Sequence, residues 1–347
     1  MKTVENYKRY KSLLVAVILF RYSEKDYPIT VKSILSHLEK DYGIKSDRKS
    51  VVRDIKELQR LLELDNKKKA SFNLSIEEVE YKDGTKYWAM VRPYDSDKVR
   101  LIIECINSAK GISDKEAEEI RKIVYPLASE VQREALDDEV YTFDRVKSTS
   151  QILQPLKVIS TAIQQYKKVA FNYYTYDCEN IQERKPKKKG RKYYVSPYYL
   201  LIDNGYYYLI GYENKKFNRM KYRLDRMGNV EMLDQERDGE DEFDEYNFDI
   251  NGYYREMFGM MDGYEEEITI QFANEGTILD TVIDKFGNDV PYQLERDKKH
   301  FKITDVFYVN SQFFSWLCSF GNKAKIVKPK KVAKEFATFI DSIKSNY

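Results

Sequence analysis

Arginines and tyrosines in the middle of the chain offer the most chemistry. Tyrosine occupies positions 206–208 and 212, and residues 222–227 read Tyr-Arg-Leu-Asp-Arg-Met. Arginine donates paired, charge-assisted hydrogen bonds to phosphate, and a tyrosine ring stacks on a nucleic-acid base. This stretch holds no nucleophile beside a base, no cluster of metal ligands and no glycine-rich phosphate loop. It therefore indicates a site that binds a polyanion.

Two geometric conditions decide how these residues meet. On an ideal strand Tyr206 and Tyr208 lie on the same face. One face of this strand fills the core, and the sequence does not determine whether it is the face of these two tyrosines. Arg223 and Arg226 are three residues apart, so a bulge or a strand end near Asp225 is needed to bring them together. The alternative is that the tyrosines fill the core and the arginines pair with the acidic segment that follows. The predicted ligand-binding residues are Arg184, Ser196, Tyr206, Tyr208, Arg219, Lys221, Arg223 and Arg226.

A second cationic surface is predicted near the N-terminus. Residues 7–21, 31–42 and 47–64 have the apolar spacing of three helices, in the order of a helix-turn-helix. In the third helix the apolar residues form one narrow stripe and four cations lie opposite, a face that suits a DNA major groove. Residues 72–79 and 86–91 then predict a hairpin with an Asp-Gly turn, as in a wing that touches the phosphate backbone. The predicted DNA-binding residues are Arg48, Lys49, Ser50, Arg53, Lys56, Arg60, Lys82 and Lys86.

Charge is segregated along the chain, although the net charge is only +2. Residues 1–92 carry 20 Lys and Arg against 14 Asp and Glu, and residues 157–230 carry 16 against 6. Residues 231–270 carry 2 against 15. Two basic modules beside an acidic segment predict anionic partners for both modules. The alternative is that the acidic segment only neutralises its neighbour. Four apolar residues are expected to dock this segment, namely Phe248, Tyr254, Phe258 and Met261.

The remaining segments predict an α+β multidomain protein. Residues 95–140 have helical periodicity, and short strands between residues 169 and 224, including separate strands at 192–196 and 198–203, predict a small antiparallel barrel. Residues 265–347 follow the β-α-β-β-α-β order of a ferredoxin-like sandwich. The predicted domains are 1–92, a helical connector and dimerisation segment 93–147, a ligand-sensing domain 148–232, an acidic linker 233–264, and a C-terminal extension 265–347.

Composition argues against several other classes of protein. No run approaches the roughly 18–20 apolar residues that cross a bilayer, so no membrane partner is expected. The short apolar run at residues 13–20 lacks the cleavage site of a signal peptide. Three widely spaced cysteines suit the reducing cytosol rather than a disulfide framework or a zinc site. We therefore expect a cytoplasmic protein with no cofactor and no metal site.

Several motifs, in the correct order, resemble those of the WYL-domain family of bacterial transcriptional regulators. Residues 46–58, with Arg-Asp-Ile near their centre, resemble the recognition helix of this family. Residues 195–200 and 222–227 resemble the strand that opens the WYL core and the Arg-Leu-Asp-Arg signature. Two positions depart from the pattern: Tyr207 replaces the eponymous tryptophan, and Met220 stands where a basic residue is frequent.

The resemblance implies a winged helix-turn-helix, an SH3- or Sm-like WYL barrel and a C-terminal extension of the WCX type, assembled as a homodimer. It implies a transcriptional regulator at the nucleoid that binds double-stranded promoter DNA and whose WYL domain senses a single-stranded nucleic acid or a nucleotide-like anion. No catalytic activity is expected. Two alternatives remain: an RNA-binding adaptor built on the Sm-like barrel, and a metal-dependent nuclease that uses carboxylates from residues 231–270.

Overall fold

The protein forms two compact units, residues 1–149 and residues 150–347. A computed structural model describes residues 10–67, 73–81, 84–139, 151–180, 183–213, 218–244, 248–256, 258, 260–261 and 263–347. The class is mixed α and β, with three antiparallel sheets in the described residues. Within those residues, no helix has both the length and the apolar character that a bilayer crossing needs.

Unit 1 begins with three helices and a three-stranded sheet of order β1-β3-β2. The three predicted helices are confirmed, and local signals fix their ends. Thr30 Oγ1 accepts from the Ser33 amide at the start of the second helix, and Gly43 ends that helix with φ 68°, where a side chain would be strained. Asp47 Oδ1 accepts from the Ser50 amide and caps the third helix. The elements are α1 (Lys11–Tyr22), β1 (Ile29–Thr30), α2 (Val31–Tyr42), α3 (Arg48–Lys67), β2 (Ser75–Glu80) and β3 (Lys86–Val91).

The core of this region explains why α3 keeps one orientation. Trp88 on β3 is 1% exposed and packs with the apolar faces of all three helices. Val51 and Ile55 are fully buried in the same cluster, whereas Leu58 and Leu62 are only partly buried. The predicted apolar stripe is therefore confirmed, and burying it directs the opposite face of α3 outward.

A helical segment completes the described part of unit 1, as the periodicity predicted. A capping box at Ser113 and Glu116 begins its second helix. The Arg21 side chain of α1 donates to Glu130 at 2.6 Å, which links this segment to the first helix. The elements are α4 (Ser96–Ser108), α5 (Asp114–Val124), a 3-10 turn (Tyr125–Leu127) and α6 (Glu130–Glu139).

Unit 2 opens with a helix and a strongly bent antiparallel sheet. The strand order is β5-β4-β6-β7-β8, and β9 returns to pair with β4, so the sheet curls back towards its first strand. A four-ring cluster fills the interior, with Phe171 and Tyr193 stacked at 5.6 Å and both Tyr173 and Tyr222 packed edge-on to them. The elements are α7 (Leu153–Gln164), β4 (Lys167–Tyr176), β5 (Arg184–Pro186), a 3-10 turn (Lys187–Gly190), β6 (Tyr193–Asp203), β7 (Tyr206–Glu213), β8 (Asn218–Arg223), a 3-10 turn (Leu224–Arg226) and β9 (Met227–Glu236).

One strand prediction is wrong. Residues 192–196 and 198–203 were expected to be two strands separated by Pro197, but they form the single strand β6. The pairing of β6 with β7 shifts register between Pro197 and Tyr199. This bulge places the proline, which has no N–H to donate, where the ladder is interrupted anyway.

The acidic segment packs against the barrel, as the expected docking residues implied. Its first residues extend β9 to Glu236, four residues beyond the predicted boundary, and a 3-10 turn (Glu240–Glu242) and α8 (Ile250–Glu256) follow. Phe248 and Phe258 are buried, as predicted. Tyr254 docks through its hydroxyl, which donates to the Ile202 carbonyl at 3.3 Å, although the residue is 40% exposed. Met261 is 42% exposed, so its expected docking is wrong. Three other residues of the segment are buried in their place: Phe243, Tyr253 and Met260.

The C-terminal part of unit 2 follows the predicted β-α-β-β-α-β order. Its sheet has the order β11-β12-β10-β13 with antiparallel pairs, as expected for a ferredoxin-like sandwich. Phenylalanine dominates the core, and Trp316 packs edge-on to Phe286 and Phe320. The elements are β10 (Tyr264–Ala273), α9 (Ile278–Phe286), β11 (Tyr292–Leu294), β12 (His300–Val309), α10 (Ser311–Cys318), β13 (Ala324–Lys328) and α11 (Lys330–Lys344).

Two glycines of the barrel give a matched test of how closely β6 and β7 approach. A Cβ at Gly211 would lie 2.7 Å from the Ser196 carbonyl oxygen, whereas a Cβ at Gly228 would meet only the ring of Tyr174, which is able to move. We expect Gly211→Ala to lower the free energy of unfolding by about 1–3 kcal/mol more than Gly228→Ala does. Urea denaturation followed by Trp316 fluorescence in a Trp88→Phe background measures unit 2 alone, because the chain has 2 tryptophans. Equal losses for the two variants contradict the tight strand contact.

Candidate functional site

The exposed face of α3 carries the predicted DNA-binding cations. Lys49, Arg53, Lys56 and Arg60 are all exposed, opposite the buried stripe. Within the described residues none of the four forms an ion pair. Arg48, in the first turn, is exposed as well. The helix therefore presents a row of exposed cations that form no ion pair within the described residues.

A lysine of α1 that the sequence analysis missed holds the start of α3. Lys11 Nζ lies 2.8 Å from Asp54 Oδ2 and donates to the hydroxyl of Ser50, with Ser46 Oγ at 3.4 Å. Ser50, predicted to contact DNA, therefore already accepts one internal hydrogen bond and keeps its own proton to donate. No sequence pattern reveals this contact, because Lys11 and Ser50 are 39 residues apart.

The hairpin that follows α3 is less cationic than predicted. Lys86 forms an ion pair with Glu78 on the facing strand, and this hydrogen bond raises the pKa of Lys86. Glu77, Glu78 and Glu80 are all exposed on β2. Lys82 lies outside the described residues. Of the two lysines predicted to flank the tip, the one described is therefore already paired.

The end of β8 brings together the arginines of the Arg-Leu-Asp-Arg motif. The strand stops at Arg223 and the chain turns through Leu224–Arg226. This is the strand end near Asp225 that was predicted to be needed to bring Arg223 and Arg226 together. Arg223 donates to both Asp225 oxygens, at 3.0 and 2.8 Å, and its guanidinium lies 3.4 Å from the centre of the Tyr206 ring. Arg184 Nη1 donates to the Asp225 carbonyl at 2.6 Å. Burial alone lowers the pKa of Arg223, but its hydrogen bonds to Asp225 raise it overall, so this side chain stays charged.

Arg226 completes this cluster and has unused hydrogen-bonding capacity. Its Nε is buried and has no hydrogen-bond partner among the described residues. Burial raises the pKa of Tyr208, and the positive charges of Arg223 and Arg226 oppose that rise. Tyr208 is also the cross-strand neighbour of Arg223. Five predicted ligand residues therefore meet in one place, which we call the arginine cluster: Arg184, Tyr206, Tyr208, Arg223 and Arg226.

Arg219 and Lys221 are covered by the acidic segment. They share a face of β8 with Arg223 by alternation. Arg219 Nε donates to the Glu242 carbonyl at 3.2 Å, and its guanidinium lies 4.5 Å from the centre of the Phe248 ring. Lys221 Nζ donates to the Met261 carbonyl at 3.0 Å. The alternative in which cations pair with the acidic segment therefore describes Arg219 and Lys221, whereas Arg223 pairs within its own turn.

The tyrosine strand is buried on both faces beyond its first three residues. Leu209 and Ile210 are both 0% exposed, because one face meets the barrel interior and the other meets the acidic segment. Tyr206 and Tyr208 remain half-buried at the open end. Ser196 is 2% exposed, and its Oγ accepts from the Asp238 amide at 2.8 Å, so it fixes the backbone of the acidic segment.

One group of side chains has the composition of a metal site, although the sequence predicted none. Ligand atoms of Glu295, Asp297 and His300 lie within 4.8 Å of one another at the turn between β11 and β12. Glu295 already pairs with Lys302 and accepts from Gln271. His300 Nδ1 lies 2.7 Å from Asp297 Oδ2. These carboxylates are satisfied by neighbouring side chains.

Comparison with known proteins identifies the domain that contains the arginine cluster. Residues 154–232 match the WYL domain, a span that runs from α7 to β9. The chain therefore contains a WYL domain, which confirms the resemblance drawn from residues 195–200 and 222–227. No curated protein sequence matches the chain.

Two solved structures are similar along almost the whole chain. Proteasome accessory factor B/C (PafBC) of Arthrobacter aurescens is 14% identical with a TM-score of 0.27, and the match covers 96% of this chain and 45% of that one. A CRISPR Cas-related protein is 15% identical with a TM-score of 0.34, and the match covers 99% of this chain and 81% of that one. The chain thus spans less than half of the first relative. With sequence identities and TM-scores this low, neither structure supports a conclusion about the function of this chain.

The Arg223–Asp225 pair gives a stability test of the arginine cluster. Asp225→Ala leaves a half-buried arginine without its carboxylate, so we expect a loss of roughly 3–5 kcal/mol in the free energy of unfolding of unit 2. The double variant Arg223→Ala/Asp225→Ala should lose less than the two single losses added together. Urea denaturation followed by Trp316 fluorescence in the Trp88→Phe background measures both, with Asp284→Ala, at an exposed position of α9, as the control. Additive single losses indicate that the two side chains do not interact.

Proposed function

We propose that the protein is a ligand-responsive, sequence-specific transcriptional regulator that binds double-stranded promoter DNA through α3. The observation that carries this proposal is the row of unpaired cations on a helix whose opposite stripe is buried. Three helices followed by a β-hairpin suit a winged helix-turn-helix, in which such a helix enters the major groove. Lys11 supports the proposal, because it holds the N-terminal end of that helix, where base contacts are made.

The proposed roles of the individual residues follow from their surroundings. Arg53 and Lys49 are assigned to base edges, since arginine to guanine is the commonest specific contact. Arg48, Lys56 and Arg60 are assigned to phosphates. Ser50 is assigned to either, through the proton that its internal hydrogen bond leaves available. Lys82 and Lys86 are assigned weaker phosphate contacts, because glutamates dominate the described part of β2.

The proposed sensor is the arginine cluster of the WYL domain, a partly closed sheet that suits an SH3- or Sm-like barrel. A phosphate-bearing ligand fits there because Arg226 Nε is unpaired and Arg223 is held charged by Asp225. Tyr206 and Tyr208 supply half-buried rings beside these cations, which suits a nucleotide or a single-stranded nucleic acid. Arg219, Lys221 and Ser196 have supporting roles, because each of them binds the acidic segment.

The rest of the proposal concerns assembly and location. Regulators of this kind bind paired half-sites, so we assign a homodimer in the bacterial cytoplasm, at the nucleoid. Residues 1–92 bind DNA, residues 93–147 connect and dimerise, residues 148–232 sense the ligand, residues 233–264 form an acidic segment and residues 265–347 form a WCX-type extension. A ligand changes DNA binding only through different affinities for two states of this dimer.

The DNA-binding part is tested by one arginine. We expect Arg53→Ala to weaken binding to the protein's own target DNA by about 1–3 kcal/mol, because a bidentate base contact is lost. Sequencing the DNA that co-purifies from the native cell supplies the target, and gel shifts measure the affinity. Arg296→Ala, at an exposed position of the C-terminal extension, is the matched control. Equal affinity of wild type, Arg53→Ala and Lys56→Ala removes α3 as the DNA-binding element, and tighter binding to structured RNA favours an adaptor instead.

The sensor part is tested by the arginine whose Nε is unpaired. We expect Arg226→Ala to weaken binding of fluorescein-labelled (dT)8 by about 1–3 kcal/mol, because one phosphate or base contact is removed. Fluorescence polarisation at two salt concentrations measures the affinity, with Arg296→Ala as the control. Arg226 is the cleaner choice, since Arg223→Ala also leaves Asp225 unpaired. If wild type shows no salt-sensitive binding, the sensor does not bind single-stranded nucleic acid.

A further inference from the structure

A groove on the WYL domain lies next to the loop of residues 184–192 and is separate from the residues of the arginine cluster. It encloses about 380 Å³, within the range of roughly 300–1,000 Å³ that is usual for small-ligand sites. Its lining includes four cationic and two anionic side chains. The complete lining is Lys168, Lys188, Arg191, Lys192, Tyr194, Ser196, Tyr212, Glu213, Gln235 and Asp238.

The cations of the groove are held in place before any ligand arrives. Lys188 Nζ lies 3.6 Å from the centre of the Tyr193 ring and 3.1 Å from Glu213 Oε1. Lys188 and Lys189 have φ of 51° and 53°, a left-handed conformation that costs each residue roughly 1–2 kcal/mol. Such a loop persists only where its surroundings fix it, which the contacts of Lys188 do.

Two groups in the groove remain available to a ligand. Arg191 is exposed and has no ion pair within the part of the chain that the structure describes. Tyr194, which also lines the groove, is 57% exposed although it belongs to a strand of the barrel. A guanidinium and an exposed ring in one groove suit a phosphate attached to a flat base, the same chemistry as at the arginine cluster.

The anion that occupies the groove in this structure is the protein's own Asp238. Its carboxylate lies 2.5 Å from Lys168 Nζ. Its amide donates to Ser196 Oγ, and its carbonyl accepts from the Tyr198 hydroxyl at 2.9 Å. The next residue must be glycine, since a Cβ at Gly239 would lie 2.5 Å from the Tyr212 ring and φ is 85°. Asp238 is therefore the fixed point at which the acidic segment leaves β9.

Most of the acidic segment is too deeply packed for a ligand to remove. Phe243 is stacked on Tyr198 at 3.9 Å, and Phe243, Phe248 and Tyr253 are each less than 10% exposed. Burying one such ring stabilises the folded protein by roughly 1.5–3 kcal/mol. Exposing all three rings would therefore cost most of the binding free energy of a micromolar ligand. Asp238 is different, because its side chain, which pairs with Lys168, is 38% exposed.

We propose that this groove is a second phosphate-binding site and that Asp238 is its internal competitor. A phosphate takes the place of the carboxylate on Lys168 and gains Arg191, while Lys192 stays paired with Glu231 and Phe243 and Phe248 keep the acidic segment on the barrel. The loop of residues 184–192 joins the two sites, since Arg184 lies in the arginine cluster and Arg191 lines the groove. The inference rests on the proposed sensor function and extends it to a ligand with more than one phosphate, or to a strand.

The test measures binding of two probes to the full-length protein. Fluorescein-labelled (dT)8 reports on a strand, and competition by thymidine monophosphate reports on a single nucleotide. We expect Arg191→Ala to weaken (dT)8 binding about tenfold, since one charge-assisted contact is lost. We expect Asp238→Asn to tighten it about threefold or more, because the competing charge is removed while both backbone hydrogen bonds of residue 238 are kept. Arg296→Ala is the matched control and should bind as wild type does.

The outcomes separate this inference from the proposed function. Opposite effects of Arg191→Ala and Asp238→Asn support the groove; efficient competition by the monophosphate then identifies a nucleotide, and weak competition identifies a strand. If both variants bind like wild type while Arg226→Ala binds weakly, the groove is not a ligand site and the arginine cluster stands alone. If wild type binds neither probe, the groove and the sensor both fail, whereas DNA binding by α3 is still judged by its own gel shifts.

Discussion

The turn held by Arg223 and Asp225 is the constraint on which the rest of the WYL domain depends. Two hydrogen bonds between these side chains close the three-residue turn after β8, and Asp225 is 4% exposed. The turn reverses the chain so that β9 pairs with β4 and the sheet curls back on itself. The same turn anchors Arg184 through the Asp225 carbonyl. The residues that assemble the barrel are therefore also the residues that concentrate positive charge at its open end.

Positive charge on this barrel is divided between a covered part and an open part. The cations of β8 share one face, but they have different partners. Arg219 and Lys221 donate to the Glu242 and Met261 carbonyls of the acidic segment, whereas Arg223 pairs with Asp225 in its own turn. The acidic segment therefore determines which cations of the barrel are covered, in addition to lowering the net charge of unit 2. It contacts Arg219 and Lys221, while Arg226 keeps an unpaired Nε in the arginine cluster and Arg191 stays exposed in the groove. A uniform basic surface would bind polyanions without selectivity, whereas two separate cationic sites favour a ligand whose anionic groups match their spacing.

Local signals determined which parts of this structure were predictable. The bounds of α2 and the left-handed Gly43 follow from caps and periodicity, which act within a few residues. The exposed row on α3 follows from the same spacing. The strand break expected at Pro197 is wrong because β6 continues through the proline at a bulge in its pairing with β7. The sequence around Pro197 does not reveal which strand pairs with it. Both faces of the tyrosine strand are buried for a related reason, since the segment that covers the second face comes about 30 residues later in the chain.

Contacts between residues that are far apart in the sequence position the most important side chains of the candidate sites. Lys11 reaches Ser50 across 39 residues, and Ser196 reaches Asp238 across 42, and neither spacing has any regular period. Ser50 was predicted to bind DNA and Ser196 to bind the ligand of the WYL domain. In the fold, each hydroxyl instead accepts a hydrogen bond from another part of the chain, and so positions the element that carries the cations or the competing carboxylate. A polar residue in a binding motif is thus as often a support for the binding group as the binding group itself, and burial distinguishes the two: Ser196 is 2% exposed, whereas Arg191 is open to solvent.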